Sequence, residues 1–339
     1  MNILFLGYTS GTSKHRANAL ARLGHEVTVV SPEAGMKFGR IWDKLNAITG
    51  SVLAERRALR YVTEQIGDRK FDMTWVEGGR LVGPELVVHL QQRFGLVLNF
   101  NHDDPFGTRD GNTWRLYRKA VPVYNLVAVV RQENVDEARA LGAMRVKHVY
   151  RSADEVAHAP RSLTEEDDRR WGSDVAFVGT WMPGRGAFMA GLVERGVPLS
   201  IYGNRWKKAP EWPIIQGAWK GAGTTSDEEY ARAIQCAKIC LGLLSKGNRD
   251  LHTTRSMEIP SLGGLLCAER TVEHQQLYCE GEEAVFWSSA EECAQVCHEL
   301  LGDDAKRQMI ASRGHQRCLE NQHFSQPLVA GLIADLFRS

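Results

Sequence analysis

The chain has 339 residues, of which 43% are hydrophobic and 24% are charged, and its formal net charge at pH 7 is +1. These proportions are typical of a soluble globular protein. They exclude a chain whose overall charge alone attracts nucleic acid or anionic lipid. The length exceeds one ordinary core and predicts two domains of about 150 residues each, with a cleft between them.

Signals for membrane insertion and secretion are lacking in the sequence. No apolar run approaches the roughly 20 residues that a membrane helix needs, and no secretory leader precedes the first predicted strand. All seven cysteines lie at or after Cys236, and an odd number in such a chain argues against a disulfide framework. We expect a cytoplasmic protein with reduced thiols.

The first half of the sequence alternates short apolar or β-branched runs with helical patterns. Because these runs are nearly continuous in apolar residues, they predict a parallel sheet that is covered by helices on both faces. The predicted strands are 3–6, 26–30, 72–76, 96–100, 126–130 and 147–150.

The loop after the first strand, 7–13, reads Gly-Tyr-Thr-Ser-Gly-Thr-Ser. A dinucleotide site at this position would need Gly-x-Gly-x-x-Gly spacing and an acidic residue for the ribose. The sequence offers neither, so a dehydrogenase is disfavoured.

Three titratable residues, His102, Asp103 and Asp104, follow the predicted strand 96–100. Polar groups at the carboxyl end of a buried strand often take part in binding or catalysis. A solitary histidine is also a common structural residue, so both interpretations stay open from the residues alone.

The segment 152–171 is the predicted linker between the domains. It combines His158-Ala159-Pro160 with a charged run at 165–170 that has little to bury. We therefore predict a first domain at 1–160, a second at 161–322 and a C-terminal helix at 323–339. The apolar spacing of that helix suits ordinary core packing, and it could return to the first domain.

The second half starts a new series of strands and helices, with predicted strands at 174–178, 199–202, 214–216, 239–244, 265–268 and 284–287. Arg185 follows the first of them in Met182-Pro-Gly-Arg-Gly, a turn in which the backbone can approach a ligand closely. Gly203 and Asn204 follow the second strand, at the sheet edge where open α/β sheets bind ligands. The alternative interpretation is that Arg185 is a solvated loop arginine without a function.

The segment 246–264 carries the densest functional signal. We predict a polar loop and a short helix that opens at 250–254 and ends at Gly263-Gly264. Helix amides together with Lys246, Arg249 and Arg255 favour a pyrophosphate group. Asp250 and Glu258 lie eight positions apart, and Glu258 can accept two hydrogen bonds from a ribose diol. Carboxylates near a helix start also serve as caps.

Cys293, Cys297 and His298 could share one helical face as metal ligands. No fourth ligand and no Cys-x-x-Cys pair accompanies them. Small buried residues are the simpler interpretation, and we predict no metal site.

Several segments resemble those of a known enzyme family. In the second half they are Asp174-Val-Ala-Phe-Val-Gly-Thr, Ile201-Tyr-Gly-Asn-Arg-Trp, His252-Thr-Thr-Arg-Ser-Met-Glu-Ile-Pro and Gly281-Glu-Glu-Ala-Val-Phe-Trp. They resemble the donor-binding domain of two-domain, GT-B type glycosyltransferases, in particular the CgeB-like group named for spore maturation proteins. Asn101-His-Asp-Asp-Pro-Phe and Arg131-Gln-Glu-Asn-Val in the first half resemble the same group.

The resemblance implies two Rossmann-like α/β domains and transfer of a sugar from a nucleotide-diphosphate sugar to an acceptor. It implies retention of anomeric configuration, no bound metal, and no cofactor besides the nucleotide-sugar co-substrate. The implied catalytic residues are His102, Asp103 and Asp250. The implied donor-binding residues are Arg185, Gly203, Asn204, Lys246, His252, Thr253, Thr254, Arg255 and Glu258. We expect Thr9, Ser10 and His15 on the acceptor side, which the first domain supplies.

Two other functions fit the same sequence. A sugar-nucleotide epimerase can share this two-domain form, and a non-catalytic chain could bind a nucleotide sugar or scaffold an assembly. The acceptor could be a glycan, a protein, a small molecule or a modified nucleic-acid base.

Overall fold

The computed structural model describes residues 1–36, 46, 48–224 and 226–338. The chain divides into two compact units. The first unit comprises Met1–Arg151, Gly247–Arg249 and Ser325–Ser339, and the second comprises Ser152–Lys246 and Asp250–Phe324.

Within the described residues, the first unit forms a six-stranded parallel sheet with the order β2-β1-β3-β4-β5-β6. Its strands are β1 (Asn2–Leu6), β2 (Glu26–Val30), β3 (Met73–Glu77), β4 (Leu96–Asn101), β5 (Leu126–Val129) and β6 (Val146–His148). Each lies within two residues of a predicted strand, because apolar runs of this length mark buried parallel strands.

Helices cover both faces of this sheet. They include α1 (Gly11–Arg22), α2 (Glu55–Ile66), α3 (Pro84–Phe94), α4 (Arg115–Ala120) and α5 (Gln132–Ala140). One core contains Val62, Leu86 and Val97, and a second core on the other face contains Ile3, Leu20 and Leu98. The alternation of strand side chains between two apolar layers explains why these strands are nearly continuous in apolar residues.

The second unit has a sheet of the same kind, six parallel strands among its described residues, with the order β12-β11-β10-β7-β8-β9. The strands are β7 (Ser173–Val178), β8 (Leu199–Tyr202), β9 (Trp219–Gly221), β10 (Ala237–Gly242), β11 (Leu266–Glu269) and β12 (Val285–Trp287). The α/β class with two parallel sheets is confirmed.

The helices of the second unit include α6 (Glu165–Trp171), α7 (Arg185–Glu194), α8 (Trp212–Ile215), α9 (Asp227–Gln235), α10 (Arg255–Ser261), α11 (Val272–Leu277), α12 (Ala290–Leu301) and α13 (Asp304–Asn321). The predicted strand at 214–216 is wrong. Trp212-Pro213 begins the short helix α8 instead, because proline suits the first helical turn, and the strand follows as β9.

The helix expected at 250–254 begins later than predicted. Thr254 is the N-cap of α10, so residues 250–253 form a loop whose amides precede the helix. The helix has seven residues and ends at Ser261. Its C-cap is Leu262, and the next residue, Gly263, has a φ of 79°, a left-handed value that favours glycine.

The boundary between the units lies at Arg151 and Ser152, earlier than the predicted boundary after residue 160. The residues after Ser152 are not an exposed linker: Ala153 is buried and bridges to Phe324, and Ser261 Oγ donates a 2.8 Å hydrogen bond to the carbonyl of His158. Contacts of this kind hold 152–160 within the second unit.

The final helix of the chain, α14 (Ser325–Phe337), belongs to the first unit. Val329, Leu332 and Leu336 are buried in the same core as Ile3. Arg22 on α1 also donates a 3.0 Å hydrogen bond to Gln326 Oε1. Among the described helices, none combines the length and apolarity that crossing a membrane requires.

Candidate functional site

Each sheet has one point at which the chain changes its direction of winding. In the first unit this point lies between β1 and β3, and in the second it lies between β7 and β10. At such a point the loops after the two neighbouring strands diverge and leave a crevice at their carboxyl ends, where open α/β sheets bind ligands. The residues after these strands are therefore the candidate site of each unit.

A cavity of ≈ 350 Å³ lies at the carboxyl ends of β1, β3 and β4 in the first unit. Of the residues predicted there, Ser10, His102 and Asp103 line it, whereas Thr9 and His15 are not among its lining residues. The remaining lining residues are Tyr8, Gly11, Thr12, Ser13, Glu33, Glu77, Gly78, Gly79, Arg80 and Trp114. His15 is buried in α1 rather than solvated, so its acceptor-side assignment lacks a cavity contact.

Glu77, the last residue of β3, is the main residue of this cavity that the sequence analysis missed. Its carboxylate is buried and accepts hydrogen bonds from Arg16 Nε, at 3.0 Å to each oxygen, and from Trp75 Nε1 at 3.1 Å. Burial by itself raises the pKa of this carboxyl, but the charge of Arg16 and the contact with His102 outweigh burial and lower the pKa to about 2. Glu77 is therefore a fixed negative charge beneath the cavity.

His102 lies directly above this charge. Its Nδ1 is 3.3 Å from Glu77 Oε1, and its Nε2 is 3.8 Å from Asp103 Oδ2. The Nδ1 contact falls outside hydrogen-bond angles, yet the nitrogen is buried beside the carboxylate, which favours the tautomer with its proton on Nδ1. Nε2 is then left as an acceptor on a side chain that is 33% exposed at the cavity.

Asp104, the third residue of this group, has a different environment. It accepts two 2.7 Å hydrogen bonds from Arg249, and Arg249 also donates to Glu137. Burial raises the pKa of Asp104, but the bonds from Arg249 and Asn134 outweigh burial and lower it. Arg249 is thus held by two carboxylates of the first unit, which corrects its expected role beside a pyrophosphate.

In the second unit, Arg185 lies at the switch between β7 and β10. It is the first residue of α7, and its guanidinium donates to the carbonyls of Thr180 at 2.8 Å, Leu243 at 3.2 Å and Leu244 at 3.3 Å. These carbonyls follow β7 and β10, so Arg185 bridges the two diverging loops. Its Nε is buried and has no hydrogen-bond partner among the described residues.

A second guanidinium and a carboxylate lie close to Arg185. Arg255 Nε donates a 3.0 Å hydrogen bond to the carbonyl of Val178 at the end of β7. Burial and then the charge of Arg255 lower the pKa of Arg185 to about 10, whereas the buried Asp250 acts in the opposite direction. Two mutually repelling cations that are held by main-chain carbonyls favour the binding of an anion between them.

Glu258, on α10, is buried beside two polar partners. Its Oε2 accepts a 2.7 Å hydrogen bond from the hydroxyl of Tyr230, and its Oε1 lies 3.6 Å from His158 Nε2. Burial and then the charge of Glu258 raise the pKa of Tyr230 well above its ordinary value. A carboxylate has about four lone-pair sites, so it can accept hydrogen bonds from several donors at once.

Hydrogen bonds and side-chain contacts within the second unit hold the loop 250–253, which precedes α10. His252 has 1% exposure, and its Nδ1 lies 2.5 Å from Glu273 Oε2. The amide of Thr253 donates to Ser256 Oγ at 3.0 Å, and Thr254 caps the helix without a side-chain hydrogen bond. The His252 side chain therefore supports the loop, whereas Thr253 and Thr254 are half-buried at its surface.

The other predicted donor residues lie at neighbouring strand ends. Gly203 follows β8 with a φ of 154°, and a Cβ there would lie 2.0 Å from the carbonyl oxygen of Gly179, so only glycine fits. Asn204 is exposed and its carbonyl accepts a 3.0 Å bond from the amide of Trp181. Lys246 is 80% exposed and pairs with Glu269 at 3.0 Å.

A protein-family model described as glycosyl transferase-like matches residues 185–333, which include Arg185, Asp250, Arg255 and Glu258. The comparison with curated proteins finds no match. Sucrose-phosphate synthase of Thermosynechococcus elongatus is similar in structure over 99% of both chains, with a TM-score of 0.73 and 12% identity. The chain has the two-domain GT-B fold.

Two further solved structures have the same fold as this chain. The HepE protein of Anabaena, solved in complex with UDP and glucose, matches 99% of the chain over its own full length, with a TM-score of 0.68 and 13% identity. A glycosyltransferase of Rickettsia africae matches all of the chain over 99% of its own length, with a TM-score of 0.65 and 12% identity.

The Glu77 charge has a consequence for stability at low pH. Its folded-state pKa is depressed from 4.5 to about 2, so the carboxylate contributes roughly 3 kcal/mol that is present above pH 4.5 and lost as pH falls through 2. We predict that Glu77→Gln lowers the free energy of unfolding most near neutral pH, and that its difference from the wild type shrinks by about half or more by about pH 3. Urea unfolding at both pH values measures this, and a difference that does not change with pH contradicts it.

Proposed function

We propose that this chain is a glycosyltransferase that takes its sugar from a nucleotide-diphosphate sugar held by the second unit. The observation that carries the proposal is the pair Arg185 and Arg255 at the switch between β7 and β10. The complex of HepE with UDP and glucose supports a donor of this type, because that protein shares the fold.

The diphosphate is the group that the two arginines suit. Breaking the bond between the sugar and the phosphate places negative charge on the departing diphosphate, and fixed cations in a dry site stabilise that charge strongly. Arg185 is already held by three main-chain carbonyls, so little side-chain ordering is needed when the anion binds. The buried Nε of Arg185 is a donor still available to a ligand.

The two carboxylates complete the proposed donor site. Glu258 accepts from a hydroxyl of the ribose while it keeps its bond from Tyr230, and Asp250 lies near the sugar end of the diphosphate. Lys246, Thr253, Thr254, Gly203 and Asn204 form the surrounding strand ends and loop of the donor site. His252 holds the loop through Glu273.

The cavity of the first unit is the proposed acceptor site. His102 Nε2 accepts a hydrogen bond from the acceptor hydroxyl and orients it, since Glu77 fixes the ring from the opposite side. Asp103 and Ser10 line the same cavity and can bind further hydroxyl groups.

We also propose that the enzyme belongs to the CgeB-like group. The segments that resemble this group coincide with the donor and acceptor sites: Asn101-His-Asp-Asp-Pro-Phe carries His102, and His252-Thr-Thr-Arg-Ser-Met-Glu-Ile-Pro carries Arg255 and Glu258. Transfer with retention and without a divalent metal is part of this proposal. Retention is what the resemblance to sugar transferases with such a carboxylate pair implies, and the two arginines can supply the charge that a metal would otherwise provide.

The donor assignment predicts two different losses of affinity. Arg185→Gln should weaken binding of both UDP and inorganic pyrophosphate by roughly ten- to hundredfold, since it removes a charge-assisted contact to phosphate. Glu258→Gln should weaken UDP more than pyrophosphate, because its partner is the ribose. Isothermal calorimetry measures both, with circular dichroism to confirm the fold.

Arg195→Ala is the matched control for these variants. Arg195 is exposed at the C-cap of the same helix, α7, and donates to the carbonyl of Gly191. The UDP affinity of the Arg195→Ala variant should equal that of the wild type. Wild-type UDP affinity in folded Arg185→Gln would remove Arg185 from the donor site.

The acceptor assignment predicts a loss of turnover without a loss of donor affinity. His102→Ala should reduce kcat with the native acceptor by roughly a hundredfold or more, since correct orientation of a reacting hydroxyl is worth factors of this size. UDP affinity should not change, because the donor residues lie in the second unit. Normal turnover in this variant would return His102 to a structural role.

The proposed retention and metal independence predict the anomeric configuration of the product and the effect of a chelator on the rate. Proton NMR of the fresh product should show the same anomeric configuration as the donor sugar, and the initial rate should not change in excess EDTA. An inverted anomeric centre would contradict the first part, and a rate restored only by Mg²⁺ or Mn²⁺ would contradict the second.

A further inference from the structure

Three thiols meet in the core of the second unit, one from a strand and two from a helix that lies more than 20 residues further along the chain. Cys267 lies on β11, and Cys293 and Cys297 lie one helical turn apart on α12. Their Sγ atoms all lie within 4.8 Å of one another, and each residue has 0% exposure. Their spacing along the helix groups Cys293 and Cys297 with His298, whereas the fold places Cys267 beside them instead.

We propose that Cys267, Cys293 and Cys297 form a three-coordinate sulfur site for a thiophilic trivalent metalloid, the chemical class of arsenite. Bonds of about 2.3 Å from three sulfurs to one central atom place the sulfurs roughly 3.5–4 Å apart. The sulfurs, all within 4.8 Å of one another, reach that arrangement after shifts of at most about 1 Å. This site is independent of the donor and acceptor sites.

The ligand set excludes the commoner alternative, a structural zinc site. Such sites take four ligands, and no fourth His, Cys, Asp or Glu among the described residues joins the three thiols. His298 is directed elsewhere, since its Nε2 lies 2.9 Å from the carbonyl of Arg195. A set of sulfurs alone selects a soft central atom.

The apolar surroundings favour a product without net charge. The three cysteines belong to the same core as Leu241 and Leu265, and burial of uncompensated charge in such a core is costly. With arsenite, As(OH)₃, three As–S bonds form and three As–O bonds break. The three thiol protons leave with the three hydroxide groups as water, no atom changes oxidation state, and the product is neutral.

Entry to this buried site needs local opening of α12 from the sheet. We therefore expect slow binding whose rate becomes independent of arsenite concentration once opening is rate-limiting. An immediate, concentration-dependent reaction would instead indicate an exposed thiol such as Cys279.

The decisive experiment uses the full-length wild-type protein, reduced and incubated with arsenite, with Zn²⁺ alone as a parallel probe. Native mass spectrometry should show one arsenic per chain with loss of three protons, and X-ray absorption at the arsenic edge should show three sulfur neighbours. Zn²⁺ should not be retained after gel filtration. Absence of bound arsenic, or fewer than three sulfur neighbours, would show that the three thiols only fill the core.

Matched cysteine variants separate this site from the other thiols. Cys293→Ala should leave at most two sulfur neighbours and lower arsenite affinity at least tenfold. Cys318→Ala should bind arsenite like the wild type, because Cys318 is equally buried but donates to the carbonyl of Met257. Should Cys293→Ala fail to fold, the sulfur count of the wild type still decides the proposal. Equal loss in both variants would overturn it.

Discussion

Both sites depend on one constraint of the fold: at one point in each sheet, the loops that follow two neighbouring parallel strands diverge. Between β1 and β3, and again between β7 and β10, consecutive connections run to opposite sides of the sheet. Strand ends at these points expose main-chain carbonyls that no neighbouring loop covers. Arg185 uses three such carbonyls, and this is how a cation can be fixed in place without a carboxylate partner. The geometry of the sheet thus leaves the positive charge available to an anion.

The two units apply the same architecture with opposite electrostatics. Below the cavity of the first unit, Arg16 and Glu77 neutralise each other, and Glu77 also orients His102. At the equivalent point of the second unit, Arg185 and Arg255 repel each other. A pair of opposite charges suits the orientation of a neutral hydroxyl, whereas a pair of like positive charges suits a diphosphate. This difference supports the proposed assignment of acceptor and donor.

Sequence patterns predicted the sheets well because buried parallel strands are recognised by continuous apolar runs. The errors arose where a local or tertiary contact outweighed the apolar pattern. Trp212-Pro213 begins a helix, and α10 begins after the loop in which His252 contacts Glu273. Glu77 was overlooked because it ends an apolar strand, yet Trp75-Val-Glu-Gly-Gly carried a usable signal. A carboxylate at the end of a buried strand, followed by two glycines, has few structural reasons to be there. The contact of Cys267 with α12 could not be predicted, since spacing along a helix says nothing about the strand beneath it.

The position of α14 sets an order of events during synthesis. Val329, Leu332 and Leu336 pack with Ile3 and Phe5, so one core combines residues that precede the second unit with residues that follow it. The ribosome releases these last apolar residues only after every strand of the second unit has emerged. The second unit can therefore complete its sheet while the first still exposes an apolar face. During synthesis, the first unit should therefore depend on chaperones more than the second unit does.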